Sequence, residues 1–398
     1  MKILFLCHKM PYPPNDGGAI ATLNMIKGFR ELNATIDVLA MQTHKHSFSI
    51  QELSDEEKRK ISWHQVWLDT SIKPFKLLVN FLFSKKPYNA VRFQSKEYEK
   101  KIVELFAKEE FDIIQLEGAY LASYVELIKN HSKAMISLRA HNVEYEIWQR
   151  LAKNENSFLK KAYYKVLANR VQRMEENLLT EIDVLVPISQ RDAVVLDFKN
   201  NEKVHVSPTG IEASKFIKNS DSTSKTLFHI GALDWIPNQE GLLWFVKNVW
   251  LKIKKEHDDW DFVIAGRNAS ADFEKELKKF PINYIGEVED AHNFIDSHRL
   301  MIVPLFSGSG MRIKIIEGMA RGKCILTTPV GAEGIPAENN KEIFICNNAE
   351  EWVKNILYLI NNNDQIVVCG NNAFNFAQQN YNNQTLTSKL FEFYQKQL

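Results

Sequence analysis

Two doubly wound α/β domains are what this sequence predicts, and three observations predict them. Short β-branched and apolar runs alternate with longer segments of helical period along the whole chain. Several runs are apolar almost throughout, as strands are when a parallel sheet is covered on both faces. The alternation restarts near residue 225, after the Ser/Asp/Thr/Lys stretch Asn219–Lys225, which puts a boundary at about 205–225. A chain of 398 residues has room for two such domains, each with a sizeable core.

Taken in order, the first half offers strands at Lys2–His8, Ile36–Met41, Phe111–Leu116, Ala134–Leu138, Ile182–Ile188 and Val204–Ser207. The second half offers Thr226–Ile230, Asp261–Ala265, Asn283–Ile285, Leu300–Leu305, Cys324–Thr327 and Glu342–Ile345. Helical period fills Ala19–Leu32, Lys96–Glu110, Leu159–Thr180, Gln239–Lys254 and Glu350–Asn361. The expected domains are 1–210 and 211–375. Segment 376–398 is expected to be a helix packed back on the first domain, because its aromatic residues would otherwise stand in water.

Composition excludes several classes. The 50 basic and 49 acidic residues leave a net charge of +1, against the strongly basic domain of a nucleic-acid binder. Cys7, Cys324, Cys346 and Cys369 lie far apart with no CxxC pair, so neither a disulfide framework nor a zinc knuckle is expected. The apolar run Ile3–Cys7 is too short for a signal-peptide core, and no stretch approaches the roughly 20 apolar residues of a membrane span. The expectation is a cytoplasmic protein.

Open parallel sheets bind ligands outside the carboxyl ends of their strands. In the first half those ends carry Asn15-Asp16-Gly17-Gly18, Glu117-Gly118, Arg139-Ala140-His141-Asn142 and Ser189. In the second they carry Gly231-Ala232-Leu233-Asp234, Gly266-Arg267, Gly286-Glu287, Ser307-Gly308-Ser309-Gly310 and Gly331-Ala332-Glu333-Gly334. If the two sheets face each other, these ends line one cleft.

The most informative stretch runs from Val303 to Gly322. A strand enters the small-residue loop Ser307–Gly310, a helix is expected from about Met311, and Gly322 stops it. Glycines let a ligand approach the backbone, and free N–H groups at a helix start attract anions. Arg312 in a first helical turn opposes the helix dipole, which makes sense if a phosphate lies between them. Lys314 can join it, and Glu317 follows five residues after Arg312.

Gly308–Glu317 with Met319, Ala320 and Gly322 resembles the signature of the retaining glycosyltransferases of GT-B fold, the large family four or glycosyl transferases group 1. Gly331–Gly334, Gly286–Asp290, Lys2–Gly18 and Pro208–Glu212 fit the same resemblance, which spans essentially the whole chain. It implies an α/β GT-B fold, two Rossmann-like domains facing across a cleft, with the acceptor side first and the donor side second. By that resemblance Arg312 and Lys314 contact the donor diphosphate, Glu317 the ribose, and His141 the sugar. Gly17 and Gly18 approach the phosphates, and the loop from Gly286 and Glu287 meets the nucleobase. Gly308, Ser309, Gly310 and Met311 complete the donor site, and Arg267 adds charge. The first glutamate of the family's pair falls at Ser309, so a hydroxyl and backbone N–H groups would take its place. Gly231–Asn238 holds no basic residue, which shifts diphosphate neutralisation onto Arg312, Lys314 and Arg267.

The activity so implied is transfer of a hexosyl group from a nucleotide-diphosphate sugar to a saccharide or lipid-linked hydroxyl acceptor, with retention, in cell-surface polysaccharide or glycolipid assembly. No metal and no cofactor are expected. A nucleotide-sugar epimerase of the same fold and a non-catalytic nucleotide-sugar-binding protein remain as alternatives. Among the weaker signals, Asp259-Trp260-Asp261 spells a metal-binding Asp-x-Asp at the start of a strand, away from the ligand end. Glu117 and His8 stand at ligand ends. The Gly308-x-Gly310 pair lacks the rest of a dinucleotide fingerprint. Segment 73–101 carries eight basic and two acidic residues among aromatic and aliphatic ones, which suits either an anionic membrane surface or a packed helix with solvated lysines. Lys160, Lys161, Lys165, Arg170 and Arg173 pose the same choice.

Overall fold

The described strands form two six-stranded sheets in which every pairing is parallel. The structure is a computed structural model that describes every residue except Lys60, 219–223 and Ser309. The first sheet holds β1 (Lys2–Cys7), β2 (Thr35–Gln42), β3 (Ile61–Trp67), β4 (Ile113–Glu117), β5 (Met135–Ala140) and β6 (Val184–Pro187). The second holds β7 (Thr226–Ile230), β8 (Asp261–Ala265), β9 (Asn283–Gly286), β10 (Leu300–Val303), β11 (Cys324–Thr327) and β12 (Phe344–Ile345). Their orders are β3-β2-β1-β4-β5-β6 and β12-β11-β10-β7-β8-β9, the same winding read from opposite edges. Strand order reverses at β1/β4 and at β7/β10, where this class of sheet opens a crevice for ligands.

Period-2 alternation feeds two core layers per sheet. From β1, Leu4 and Leu6 enter one cluster while Ile3 and Phe5 enter the other. In β10, Leu300 and Ile302 face one layer, and Met301 and Val303 the other. All of these side chains are fully buried, which is why these strands read as unbroken apolar runs.

The chain divides into two units, Met1–Gly210 with Asn383–Leu398, and Ile211–Asn382. The return to the first unit falls at 382/383, not at 375/376. The helix Asn363–Tyr381 carries Ala373, Ala377 and Tyr381 on one face, at i, i+4 and i+8, and buries all three in the second unit's core. The next helix, Asn383–Gln397, buries Leu390 and Tyr394 in the first unit's core, with the Tyr394 ring stacked 6.0 Å from Phe29. It lies so close to the helix Gly17–Glu31 that a Cβ on Gly28 would stand 2.4 Å from Thr387 Oγ1.

One strand was not expected, and three further expectations need correction. The edge strand β3 carries Ser62, His64 and Gln65 among its apolar residues. Most of its side chains are only half-buried, so it shows no continuous apolar run. Val204–Ser207 is no strand, although His205 N–H and Ser207 N–H donate to the carbonyls of Leu185 and Pro187 beside β6. The expected single helix at 239–254 is Ile236–Phe245, a wide turn at Val246–Trp250, and Leu251–Glu256. The helix after β10 spans Ile313–Ala320, with Arg312 as its cap residue rather than in its first turn.

Candidate active site

In the second unit, chemistry gathers where β7 and β10 part. The imidazole of His229, buried on β7, donates from Nδ1 to the Ile302 carbonyl of β10 at 2.8 Å. Burial, then the nearby Lys314 charge, keep this ring well below the usual histidine pKa, so it is neutral. Its Nε2 is left as an acceptor with no hydrogen bond among the described residues. Lys314, in the first turn of Ile313–Ala320, donates to Asn238 Oδ1 at 2.9 Å, and Asn238 Nδ2 donates to the Ala232 carbonyl at 2.7 Å. Desolvation, with the Arg312 charge second, pushes the Lys314 amine down to about 7. No carboxylate pairs with it among the described residues. A Cβ on Gly231 would lie 2.7 Å from Lys314 Nζ and 3.3 Å from His229 Nε2, so glycine is what keeps this cradle open.

The loop after β10 is shaped by Gly308 (φ 108°) and Gly310 (φ 76°), both in the left-handed region. A Cβ on Gly308 would meet the Trp235 ring at 2.9 Å and Arg312 Nη2 at 3.1 Å. Arg312 is buried, with its guanidinium carbon 5.6 Å from the Trp235 ring centroid. The hydroxyls of Thr327 and Thr328 at the end of β11 donate to the carbonyls of Val303 and Leu305, holding the start of this loop. One turn after Lys314, the Glu317 carboxyl is pushed up by desolvation, partly offset by Lys215 and Arg321. It accepts no hydrogen bond from the described residues.

Other expected donor residues scatter. Met311 is half-buried beside Arg312. Arg267 follows β8, and its carbonyl accepts from Leu233 N–H at 2.8 Å. Gly286 (φ 78°) ends the edge strand β9, and Glu287 beside it is exposed. Ser309 lies outside the described residues. Asp259 and Asp261 form ion pairs with Lys225 and Lys254 at the amino end of β8, the wrong end of the strand for a ligand. Among the described residues no group of three or more His, Cys, Asp or Glu side chains is placed to hold a metal.

In the first unit, the carboxylate of Glu117 occupies the β1/β4 switch. It is buried, and its Oε2 accepts from Thr22 Oγ1 at 2.6 Å and from His141 Nε2 at 2.8 Å, while Oε1 accepts from Gln115. Burial works to raise its pKa, but His141, Arg139 and Thr22 overcome that and hold it at about 2. At the end of β1, His8 donates from Nδ1 to the Glu117 carbonyl at 2.8 Å. Burial and the Lys9 charge lower His8 to about 4. The network continues inward. Gln115 Oε1 accepts from Tyr394 OH at 2.8 Å, and Tyr394 OH meets Ser137 Oγ at 2.7 Å.

Gly17 and Gly18 open the helix Gly17–Glu31, and Asp16 caps it. Asp16 accepts from Ala19 N–H at 2.9 Å and from Lys9 Nζ at 2.6 Å. Desolvation of Asp16 is outweighed by Lys9 and the Ala19 amide, so its pKa sits at about 2. A cavity of about 860 Å³ in this unit, lined by Asp112, Lys129, Met135 and Asp183, opens at the amino ends of the strands and touches none of these groups.

A family model described as glycosyl transferases group 1 matches residues 224–362, the span that holds Gly231, Lys314 and Glu317. On this match the second unit carries a glycosyl transferases group 1 domain. A Klebsiella pneumoniae relative, an uncharacterized 44.6 kDa protein in the cps region, is 25% identical over 405 residues, covering 98% of this chain and 99% of the relative. An uncharacterized glycosyltransferase of Methanocaldococcus jannaschii is 23% identical over 226 residues, 52% of this chain and 56% of its own. In fold, the chain matches Anabaena HepE in complex with UDP at a TM-score of 0.72, with 14% identity and full coverage of both chains. It matches the sucrose-phosphate synthase of Thermosynechococcus elongatus at 0.71, with 13% identity and 100% and 99% coverage. The fold is therefore GT-B.

Sequence reasoning about this chain missed His229, Asn238, Trp235, Thr22, Gln115 and Tyr394. Of these, His229 carried a local signal, because a histidine inside an otherwise apolar strand must find a buried partner. The others gain meaning only from residues far away in the chain.

Proposed function

We propose that this glycosyltransferase moves a hexosyl group from a nucleotide-diphosphate sugar to a hydroxyl of a saccharide or lipid-linked acceptor, with retention and without metal or cofactor. The observation that carries the reading is the Lys314 amine. It is desolvated, lacks a carboxylate partner among the described residues, and faces the opening kept by Gly231. A diphosphate supplies the charge that would make such a cation stable there. The HepE complexes with UDP, and with UDP-glucose, support a nucleotide-sugar donor and make UDP-glucose the first ligand to try.

In this reading Lys314 and Arg312 receive the leaving diphosphate, Glu317 holds the ribose hydroxyls, and backbone N–H groups of Gly308 and Gly310 approach the phosphates. His141, oriented by Glu117, serves the transferred sugar. The bond from the anomeric carbon to the phosphate oxygen breaks, with its electron pair going to the diphosphate. The acceptor oxygen bonds the anomeric carbon on the same face and passes its proton to the departing diphosphate. The relative in the cps region supports a role in cell-surface polysaccharide assembly, and the reading places the transfer in the cytoplasm.

The test is calorimetric titration of UDP into wild type, Arg312→Ala and Glu317→Gln. Both variants should bind at least tenfold more weakly, and equal affinities in all three proteins would remove the donor site. Product made in EDTA, and only when acceptor is present, supports metal-independent transfer; an epimerase would act on donor alone.

A further inference from the structure

The helix Pro74–Phe83 is attached to the first unit by the wrong face for a globular helix. Leu77, Asn80, Phe81 and Ser84 point inward. The Phe81 ring packs 5.7 Å from Tyr163, and Arg170 donates to the carbonyls of Asn80 and Phe81. The outward face is Phe75, Leu78, Val79 and Leu82, at i, i+3, i+4 and i+7, with Phe83 beside it. These are the positions an amphipathic helix normally buries, yet Phe75 is 77% exposed and Phe83 84%. Nothing on this helix is buried.

A second apolar pair stands beside it. The helix Phe158–Glu181 begins with Phe158 and Leu159, 82% and 79% exposed. Leu159 lies four residues before Tyr163, on the same helix face and about 6 Å along the axis from the residue whose ring packs on Phe81. Exposed apolar surface gathered in this way marks an interaction site.

The charge around it has one sign. Ile72–Lys86 holds four basic and no acidic residues, and Ser157–Arg173 holds five basic and none acidic. Lys73 pairs with Asp69, but Lys76, Lys85, Lys86, Lys160, Lys161 and Lys165 have no carboxylate partner among the described residues. A protein partner with an apolar groove would satisfy the stripe alone. Unpaired lysines flanking the stripe fit a surface that is apolar inside and anionic at its boundary.

We propose that this face is a membrane-binding surface, with the apolar stripe of Pro74–Phe83 and the Phe158–Leu159 pair seated among the acyl chains and the lysines on anionic headgroups. Ten residues make a helix of about 15 Å, too short to cross a hydrocarbon core of roughly 30 Å, so the helix lies in the interface plane. No helix among the described residues is long and apolar enough to cross a membrane, so attachment is peripheral. The inference stands on this surface and does not depend on the donor-site assignment.

The experiment is sedimentation of the full chain with vesicles of phosphatidylcholine alone or mixed with phosphatidylglycerol. Wild type should bind the mixed vesicles, bind pure phosphatidylcholine at least tenfold more weakly, and be released by high salt. Leu78→Glu with Leu82→Glu should reduce binding at least tenfold, as should Lys85→Glu with Lys86→Glu. Both variants should keep the wild-type melting temperature, since all four side chains point outward. No vesicle binding by wild type overturns the proposal, as does equal binding to both vesicles or wild-type binding by the variants. Dimers that the leucine variant dissociates, with no vesicle binding, would show a second copy as the occupant and overturn it too.

Discussion

The two halves of the molecule wind their sheets alike and place charge at the same switch point, yet they treat that charge in opposite ways. In the first unit Glu117 is surrounded by Thr22, Gln115, His141 and Arg139, and Asp16 is held by Lys9 and the Ala19 amide. In the second, Lys314 is desolvated beside Arg312, and Glu317 accepts no hydrogen bond from the described residues. Partnered ions hold geometry. A desolvated ion without a counter-ion is costly until a ligand arrives, so its cost is a signal of function. In the proposed reading the first unit's cluster positions and the second unit's cluster awaits a charged ligand.

The largest test of this contrast is Glu117→Ala. It strips the counter-charge from buried Arg139 and the acceptor from Thr22 and His141, and should destabilise the fold by about 3–5 kcal/mol. Acid should act in the same direction. The Glu117 pKa is lowered to about 2, so its stabilisation is present above the unfolded-state value near 4.5 and is lost as pH falls toward 2. Denaturant melts of wild type and variant between pH 7 and 3 should show the two curves converging at low pH. Parallel curves would contradict the pairing.

Lys314→Ala should show the reverse pattern. Nucleoside-diphosphate affinity should fall by about 1.5–3 kcal/mol, tenfold to over a hundredfold, with melting temperature unchanged or raised because a desolvated cation is gone. Wild-type affinity should also fall as pH rises above 7. A bound diphosphate favours the charged amine, whose free pKa is about 7, so binding takes up a proton and weakens by up to roughly tenfold per pH unit until the bound-state pKa is passed. Titrations in buffers of different ionisation enthalpy would detect the proton; no uptake at pH 8 would rule out Lys314 as the phosphate ligand.

The smallest expected effect is from Tyr394→Phe, which keeps the ring in the core but leaves Gln115 Oε1 and Ser137 with one partner fewer. Stability should drop by about 1–3 kcal/mol. If the network also aims His141, transfer should slow while nucleotide affinity stays unchanged. Unchanged stability would show that the Tyr394 hydroxyl does not hold the network.

Much of this was legible in residue order alone. The period-2 and period-3.6 patterns report whether each face is buried, and neighbours in the chain carry that information, so the strands, most helices and the ligand ends of both sheets could be read directly. The run Gly308–Glu317 was legible for the same reason: a loop and the helix it starts are local. Edge strand β3 was not, because Ser62, His64 and Gln65 break its apolar run. Nor was the return of the chain at 382/383, since Phe376, Tyr381 and Tyr394 are equally apolar and only packing assigns them to different cores. The partners of charged groups were the least legible of all. Tyr394 meets Gln115 across 279 positions, and Lys314 meets Asn238 across 76. Chain order cannot say whether a buried ion has its counter-ion. That depends on which strand ends the topology brings together, and the tertiary structure alone decided that Glu117 is compensated and Lys314 is not.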